Sequence, residues 1–400
     1  MLSVAEARAR IVAAFSPLPS EQLPLTAAVG RVLAEDVHAR VTQPPFPASA
    51  MDGFAVRAQD VAQLPARLRV VGYAAAGGAE AAPLRAGEAV RIFTGAPLPM
   101  GADTIVIQED TDIEGDRVLV KEAGPKGAFV RPAGLDFKQG DLGLAAGRRL
   151  NARDIGLAAS MNHPWLKVRR KPRVAVLATG DEIVMPGEPR SPQQIVSSNG
   201  LALAAFLGHA GAEPIDLGIA PDDRDALRRL VAGAAGTDLL VTTGGASVGD
   251  HDLVQSVLGA EGMTLDFWKI AMRPGKPLMF GRIGATAVLG LPGNPVSSLV
   301  CAAVFLRPAI DTMLGLAASG SETETALAGA DLAENDSRQD YLRARLSQDA
   351  DGRLLATPFA RQDSSMLFLL QQADCLVIRP PRAPALPAGS PVPILRLDAI

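Results

Sequence analysis

The chain has 400 residues, of which 48% are hydrophobic, 20% charged and 4% aromatic, and its formal net charge is −4. A length of this order calls for about two to four domains rather than one core. A mildly acidic chain poor in aromatics carries neither the basic footprint nor the stacking platform of a nucleic-acid binder, so no nucleic-acid partner is expected.

Other classes fall away on residue counts. The four histidines (His38, His163, His209, His251) include no pair at helical spacing, which speaks against a zinc site. Cys301 and Cys375 lie far apart inside apolar runs and read as buried thiols of a reducing compartment. The longest apolar stretch, around Leu299 to Leu306, is expected to stop at Arg307-Pro308, short of a membrane span. The expected setting is the cytoplasm, with no membrane partner.

In chain order, Ser3 and Glu6 form a capping box that opens an amphipathic helix with Val4, Ala7, Ile11, Val12 and Phe15 along one side. Pro44, Pro45 and Pro47 enforce a stiff, extended path into Ser49-Ala-Met-Asp-Gly53, a rigid loop presenting one carboxylate. Residues 66–137 read mostly as strands separated by Gly, Pro and Asp turns, a small β domain. From about 138 the pattern returns to helix, with Asn151 capping a run through Ile155, Leu157 and Met161.

The basic run Arg169 to Arg173 marks a domain boundary. Between 173 and 315 strands and helices alternate: VAVLATGDEI, a helix capped by Ser198 or Asn199, PIDLGIA, a helix opened by Asp222, TDLLVTTGG, another helix, then AVLGLPGNP and a closing helix. This alternation predicts a three-layer α/β domain with a largely parallel sheet. Three of its strands end in Gly-rich polar loops, where ligands of such sheets lie. Residues 315–328 read as a linker, and the tail from about 329 as a second small β domain turning at Asp351-Gly352, with SSMLFLL a short helix.

The stretch Gly236 to Asp252 carries the sharpest chemistry. A β-prone run halts at Gly244-Gly245, a design that presents backbone N–H groups to an anion. Beyond it stand Asp250 and Asp252, acids suited to Mg²⁺. Gly245-Ala-Ser247-Val-Gly249 matches a nucleophile-elbow pattern, but no histidine follows His251, so a serine hydrolase is not expected. The P-loop and dinucleotide fingerprints are missing. What remains is an anion cradle, acids at Asp181, Glu182, Asp222, Asp250 and Asp252, and cations at Lys269, Arg273 and Lys276. That set suits phosphoanhydride chemistry with Mg²⁺.

Six segments occur in one order: Ser49-Ala-Met-Asp-Gly53, Phe93-Thr-Gly-Ala-Pro97, Thr179-Gly-Asp-Glu182, Thr243-Gly-Gly-Ala-Ser-Val-Gly249, Pro274-Gly-Lys-Pro277 and Gly290-Leu-Pro-Gly-Asn-Pro295. Together they resemble the molybdopterin molybdenumtransferases, the MoeA family, which includes the E domain of gephyrin. The resemblance spans essentially the whole chain. It implies a multidomain α/β and β fold: a discontinuous N-terminal helical domain (1–44 plus 138–168), an inserted β domain (45–137), a central α/β domain like the molybdopterin adenylyltransferases (169–320) and a C-terminal β-barrel-like domain (325–400).

The implied reaction converts adenylylated molybdopterin and molybdate into molybdenum cofactor and AMP, with Mg²⁺. The implied assembly is a homodimer in which Asp52 and Thr94 face the α/β domain of the other subunit. Asp136, Glu182, Asp222 or Asp223, and Asp252 match further family acids, with Glu182 and Asp252 as metal ligands. Gly244, Gly245 and Ser247 would seat the pterin phosphate and pyrophosphate. Lys269, Arg273, Lys276, Pro292 and Pro295 would line the pterin and molybdate end, joined by Arg343 and by Ser364 or Ser365; Arg273 stands where a lysine is common. The resemblance leaves two rival functions, the adenylyltransferase step itself and a dimeric scaffold of the gephyrin type. Molybdopterin adenylyltransferase and molybdoenzyme chaperones are the candidate partner proteins.

Overall fold

The computed structural model describes residues 1–78, 81–244, 253–316 and 323–397. Gly245, Ser247, Asp250, His251 and Asp252 therefore lie outside the described residues.

The helix Val4–Ala13 begins at the expected capping box, in which Ser3 Oγ accepts from the Glu6 amide at 3.2 Å and Glu6 Oε2 accepts from the Ser3 amide at 3.0 Å. Its buried side chains, Val4, Ala7 and Ile11, join the core of the central α/β layer. The next segment pairs with a distant one. Ser20–Pro24 runs antiparallel to Trp165–Arg169, and Val37–His38 pairs with Leu142–Leu144. The helix Ala152–Ser160 packs there, capped by Asn151, whose Oδ1 accepts from the Arg153 amide at 2.9 Å.

Between these halves the chain builds a six-stranded sheet in the order Thr104–Ile107, Gly53–Val56, Glu88–Ile92, Ala66–Ala74, Arg117–Val120, Thr111–Glu114. Phe54, Val56, Leu68, Val106 and Val118 fill one side of it.

The central sheet runs Glu213–Ala220, Arg173–Thr179, Leu239–Thr243, Thr286–Leu291, Met279–Ile283, Thr264–Trp268. Its first four strands are mutually parallel, and the hairpin-like stretch supplies two further strands. The strand Arg173–Thr179 is apolar on both sides, as expected where helices cover both faces of a sheet. Val174 and Val176 face the helices Asn199–Ala210 and Pro295–Met313, whereas Ala175 and Leu177 face Arg224–Ala232 and Leu253–Ala260.

Two local expectations are corrected. The helix Arg224–Ala232 is opened by Asp223, not Asp222: the Asp223 carboxylate accepts from the Ala226 amide at 2.8 Å. The apolar stretch does not stop at Arg307-Pro308: the closing helix, expected over Val296 to about Leu314, runs Pro295–Met313 and stays apolar through that pair. A π turn at Ala302–Leu306 absorbs the steric conflict that Pro308 creates with the preceding turn. The arginine is neutralised by Asp311, both of whose oxygens lie 3.0 Å from Arg307 Nε. This helix has membrane-spanning length and apolarity, yet most of it is buried inside the protein.

The stretch expected to be linker already contains a strand, Glu324–Ala328. It belongs to a five-stranded C-terminal barrel with Gln339–Gln348, Leu354–Pro358, Cys375–Arg379 and Pro391–Arg396. Gln339–Gln348 pairs with both Leu354–Pro358 and Cys375–Arg379, which closes the ring. Its core combines the small residues Ala326, Ala328, Ala344 and Ala356 with Leu332, Val377, Val392 and Ile394.

Candidate functional site

The carboxyl ends of Arg173–Thr179, Leu239–Thr243 and Thr286–Leu291 converge on a cleft of about 750 Å³. Its lining includes Thr179, Glu182, Asn199, Thr243, Gly244, Pro292, Gly293, Asn294, Pro295 and Ser365. Glycine is required at its floor. Gly244 has φ +91°, and a Cβ there would lie 2.5 Å from the Thr179 carbonyl oxygen and 3.0 Å from Thr179 Oγ1. Gly293 packs against Gly244 in turn, and the Glu182 carboxylate folds into the space a Gly180 side chain would fill. The result is an exposed backbone surface able to admit an anion closely.

Asn199 locks two of these ends together. Its Nδ2 donates to Thr243 Oγ1 at 2.9 Å and to the Gly293 carbonyl at 2.7 Å. Thr179 Oγ1 is buried with no hydrogen-bond partner, a polar atom at the floor of the cleft awaiting one. Of the expected acids, Glu182 lines the cleft, and the Asp181 carboxylate accepts from the Asp222 amide at 3.0 Å. Asp223 is committed to its helix cap.

The C-terminal barrel reaches the cleft through the loop after Leu354–Pro358. Asn294 Nδ2 donates to Ser364 Oγ at 2.8 Å, and the Val296 amide donates to the Ser364 carbonyl at 3.1 Å. Ser364 thus docks the loop, and Ser365 faces the cleft. Ser365 donates twice to Asp363, which holds that carboxyl below its usual range. Arg343 is 1% exposed. Its Nη1 donates to the Asp363 carbonyl at 2.8 Å and its Nε to Gln362 Oε1 at 3.2 Å, so it shapes this loop from behind. Burial lowers its pKa.

Pro292 and Pro295 line the cleft, and of the loop 269–277 the wall includes Pro277. Lys269 Nζ lies 4.0 Å from the Trp268 ring centroid, a cation–π contact. Arg273 is turned toward the barrel, held by Asp336, Asn335 and Asp340.

Asp52 and Thr94 come together in the inserted domain. The Thr94 amide and hydroxyl donate to Asp52 Oδ1 at 2.7 and 2.8 Å. Those two bonds, amide first, hold the Asp52 carboxyl below its ordinary value, with a smaller push from Arg91. Asp136 is exposed on the returning segment, its amide bonded to the Gln43 carbonyl at 3.0 Å. Among the described residues the cleft lining runs from Ala178 to Leu367 and draws nothing from the inserted domain.

Among the described residues no three acids, histidines or cysteines group as a complete metal cage. Mg²⁺ needs less, since it binds through one or two carboxylates together with waters and phosphate oxygens. Glu182 beside the glycine floor fits that requirement. Asn199, Thr179, Thr243 and Asn294 are polar cleft residues to which the sequence reading gives no part in the site; Asn199 reads there only as a possible helix cap, the position that Ser198 takes. Three sit inside the quoted motifs, and Asn199 follows a strand-rich stretch as an isolated amide.

The chain divides among three known families. Residues 2–162 match the MoeA N-terminal region (domain I and II), 175–312 a probable molybdopterin binding domain, and 325–397 the MoeA C-terminal region (domain IV). A multidomain α/β protein with a glycine-floored cleft at its strand ends is thus of the molybdopterin-binding class. Over 306 residues it is 42% identical to a molybdopterin molybdenumtransferase of Nostoc, covering 74% of this chain and 70% of the relative. A molybdopterin molybdenumtransferase of Haemophilus influenzae is 33% identical over 98% of both chains. The fold superposes on the molybdopterin biosynthesis MoeA protein of Pyrococcus horikoshii with a TM-score of 0.86, at 32% identity over 99% of each chain. The chain belongs to the MoeA family.

Proposed function

We propose that this protein is a molybdopterin molybdenumtransferase, a transferase that inserts molybdenum during molybdenum cofactor biosynthesis. In this reading it takes adenylylated molybdopterin and molybdate and releases molybdenum cofactor and AMP. The observation that carries the reading is the glycine floor: Gly244 and Gly293 leave backbone open at two adjacent strand ends, with Glu182 beside it. That surface suits a phosphate-bearing ligand. Bound by Glu182 and Asp252 with phosphate oxygens, Mg²⁺ would neutralise charge on the pyrophosphate. Asn199 and Asn294 fix the loops that face the ligand, and Ser365 offers a hydroxyl at the wall. No residue need act as a covalent nucleophile.

The reading includes a homodimer in the cytoplasm. Asp52 and Thr94 form a built hydrogen-bonded pair outside the cleft of their own chain, so a second copy would bring them to it. The test is AMP release from adenylylated molybdopterin with Mg²⁺ and molybdate. Glu182→Gln and Asp52→Ala should each abolish most of it. Wild-type rates in both variants would overturn the assignment.

A further inference from the structure

The loop carrying Lys269, Arg273 and Lys276 is gripped from two sides. The Ala271 amide donates to the Leu2 carbonyl at 2.8 Å, and Leu2 bridges to Ile270. Opposite, Met272–Arg273 runs parallel to Gln339–Asp340 as an added strand on the barrel, with the Gln339 amide donating to the Ala271 carbonyl at 2.9 Å.

Within the loop the three cations differ. Arg273 engages Asp340, Asp336 at 3.1 Å and Asn335 at 3.2 Å, using both terminal nitrogens. Asp336 also binds Arg338 at 2.7 Å. The Asp340 side chain is 5% exposed, and its second oxygen has no hydrogen-bond partner. Asn335 ties the cluster to the barrel by donating to the carbonyls of Arg338, Arg379 and Pro380. Lys269 and Lys276, by contrast, have no ion pair among the described residues.

Two arginines and two aspartates sum to zero charge, so this cluster offers a tetrahedral dianion no net attraction. Swinging Arg273 to a substrate would also strand the buried Asp340 carboxylate without its partner, a costly state. Resting on the molybdenum-insertion reading above, we propose that Arg273 is a positioning residue rather than an oxyanion ligand. With Asp340 it clamps the loop to the C-terminal barrel, so that Lys269 and Lys276 are presented to the oxyanion.

The experiment compares Arg273→Gln, Asp340→Asn and the double variant, varying molybdate in the AMP-release assay. A clamp acts as one unit. Each single change should raise the molybdate concentration for half-maximal rate about tenfold, and the double should be no worse than the worse single. A second arm needs no turnover. In a Trp165→Phe background, Asp340→Asn should shift the emission of Trp268, the neighbour of Lys269, in substrate-free protein. If Arg273→Gln raises half-saturation while Asp340→Asn leaves it unchanged or lower, Arg273 is a direct ligand and the proposal falls. It falls equally if the effects of the two singles multiply. Should Asp340→Asn fail to fold, Arg273→Lys decides: the clamp predicts raised half-saturation from loss of the forked geometry, a ligand role predicts little change. Absence of AMP release in the wild type would sink the functional reading alone, leaving the emission arm to judge the clamp.

Discussion

Replacing Gly244 by alanine is the most direct probe of the cleft floor. The residue has φ +91°, where an L side chain costs about 1–2 kcal/mol. The new Cβ would also sit 2.5 Å from the Thr179 carbonyl oxygen. Non-bonded heavy atoms settle near about 3.5 Å, so one loop must retreat by about 1 Å. Strain and clash together should cost about 2–4 kcal/mol, large for one substitution but typical of a forced backbone. A displacement of about 1 Å at a reacting centre can cost about a hundredfold in rate. Thermal unfolding and AMP release, measured on the same preparation, read the two effects separately. Gly236 is the control, since it has φ +77° and open space around its Cβ. Gly236→Ala should lose about 1 kcal/mol of stability from strain and keep wild-type turnover. If Gly244→Ala behaves like Gly236→Ala, the floor is not a close-approach surface and the reasoning fails.

Other expectations follow from the same geometry. Mixing equal amounts of Asp52→Ala and Glu182→Gln subunits and allowing exchange should restore about a quarter of wild-type activity. Half the dimers would then be mixed, each with one intact shared site; no recovery would argue that each site is built within one chain. Thr94→Val removes the hydroxyl donor that helps to keep Asp52 ionised at low pH. The Asp52 pKa should rise toward its ordinary value, moving the acid limb of the pH–rate profile upward; an unmoved limb would separate Asp52 from the rate. Asn199→Ala breaks two bonds between strand ends and should cost about 1–3 kcal/mol, visible in the denaturant midpoint. Burial pushes both thiols up, Cys375 to about 12, so neither should react with a thiol reagent at pH 8 until the protein unfolds.

Much of the central domain was legible because its signals are local. Each strand is a short apolar run, each turn is marked by glycine or proline, and Ser3 and Asn151 announce their helices within four residues. The glycine strand ends were legible for the same reason. What escaped depends on partners distant in sequence. Nothing near Asp222 and Asp223 says which carboxylate meets an amide, since the choice depends on how the chain enters the helix and on Asp181 41 residues away. The closing helix was legible through Pro308, but the π turn at Ala302–Leu306 that accommodates the proline has no sequence signal of its own. Arg343 entered only through the resemblance, as a residue of the pterin and molybdate end. Its burial beneath the Asp363 loop is fixed by closure of a barrel whose strands are scattered over 324–396. Arg273 was legible as a charge, while its three barrel partners, more than 60 residues downstream, were not.

The antiparallel pairing of Ser20–Pro24 with Trp165–Arg169 also sets a timetable. During synthesis the first strand must wait for a partner about 145 residues later, which at ribosomal speeds of about 5–20 residues per second is about 7–30 s. The intervening β sheet has all its strands in hand by Val120 and can fold during that wait. The helix Val4–Ala13 waits longer still, because the surface it covers includes Ile310 and Met313. The segment Val4–Pro24 is therefore made well before the partners that secure it, and its apolar stripe is what a nascent-chain chaperone would meet.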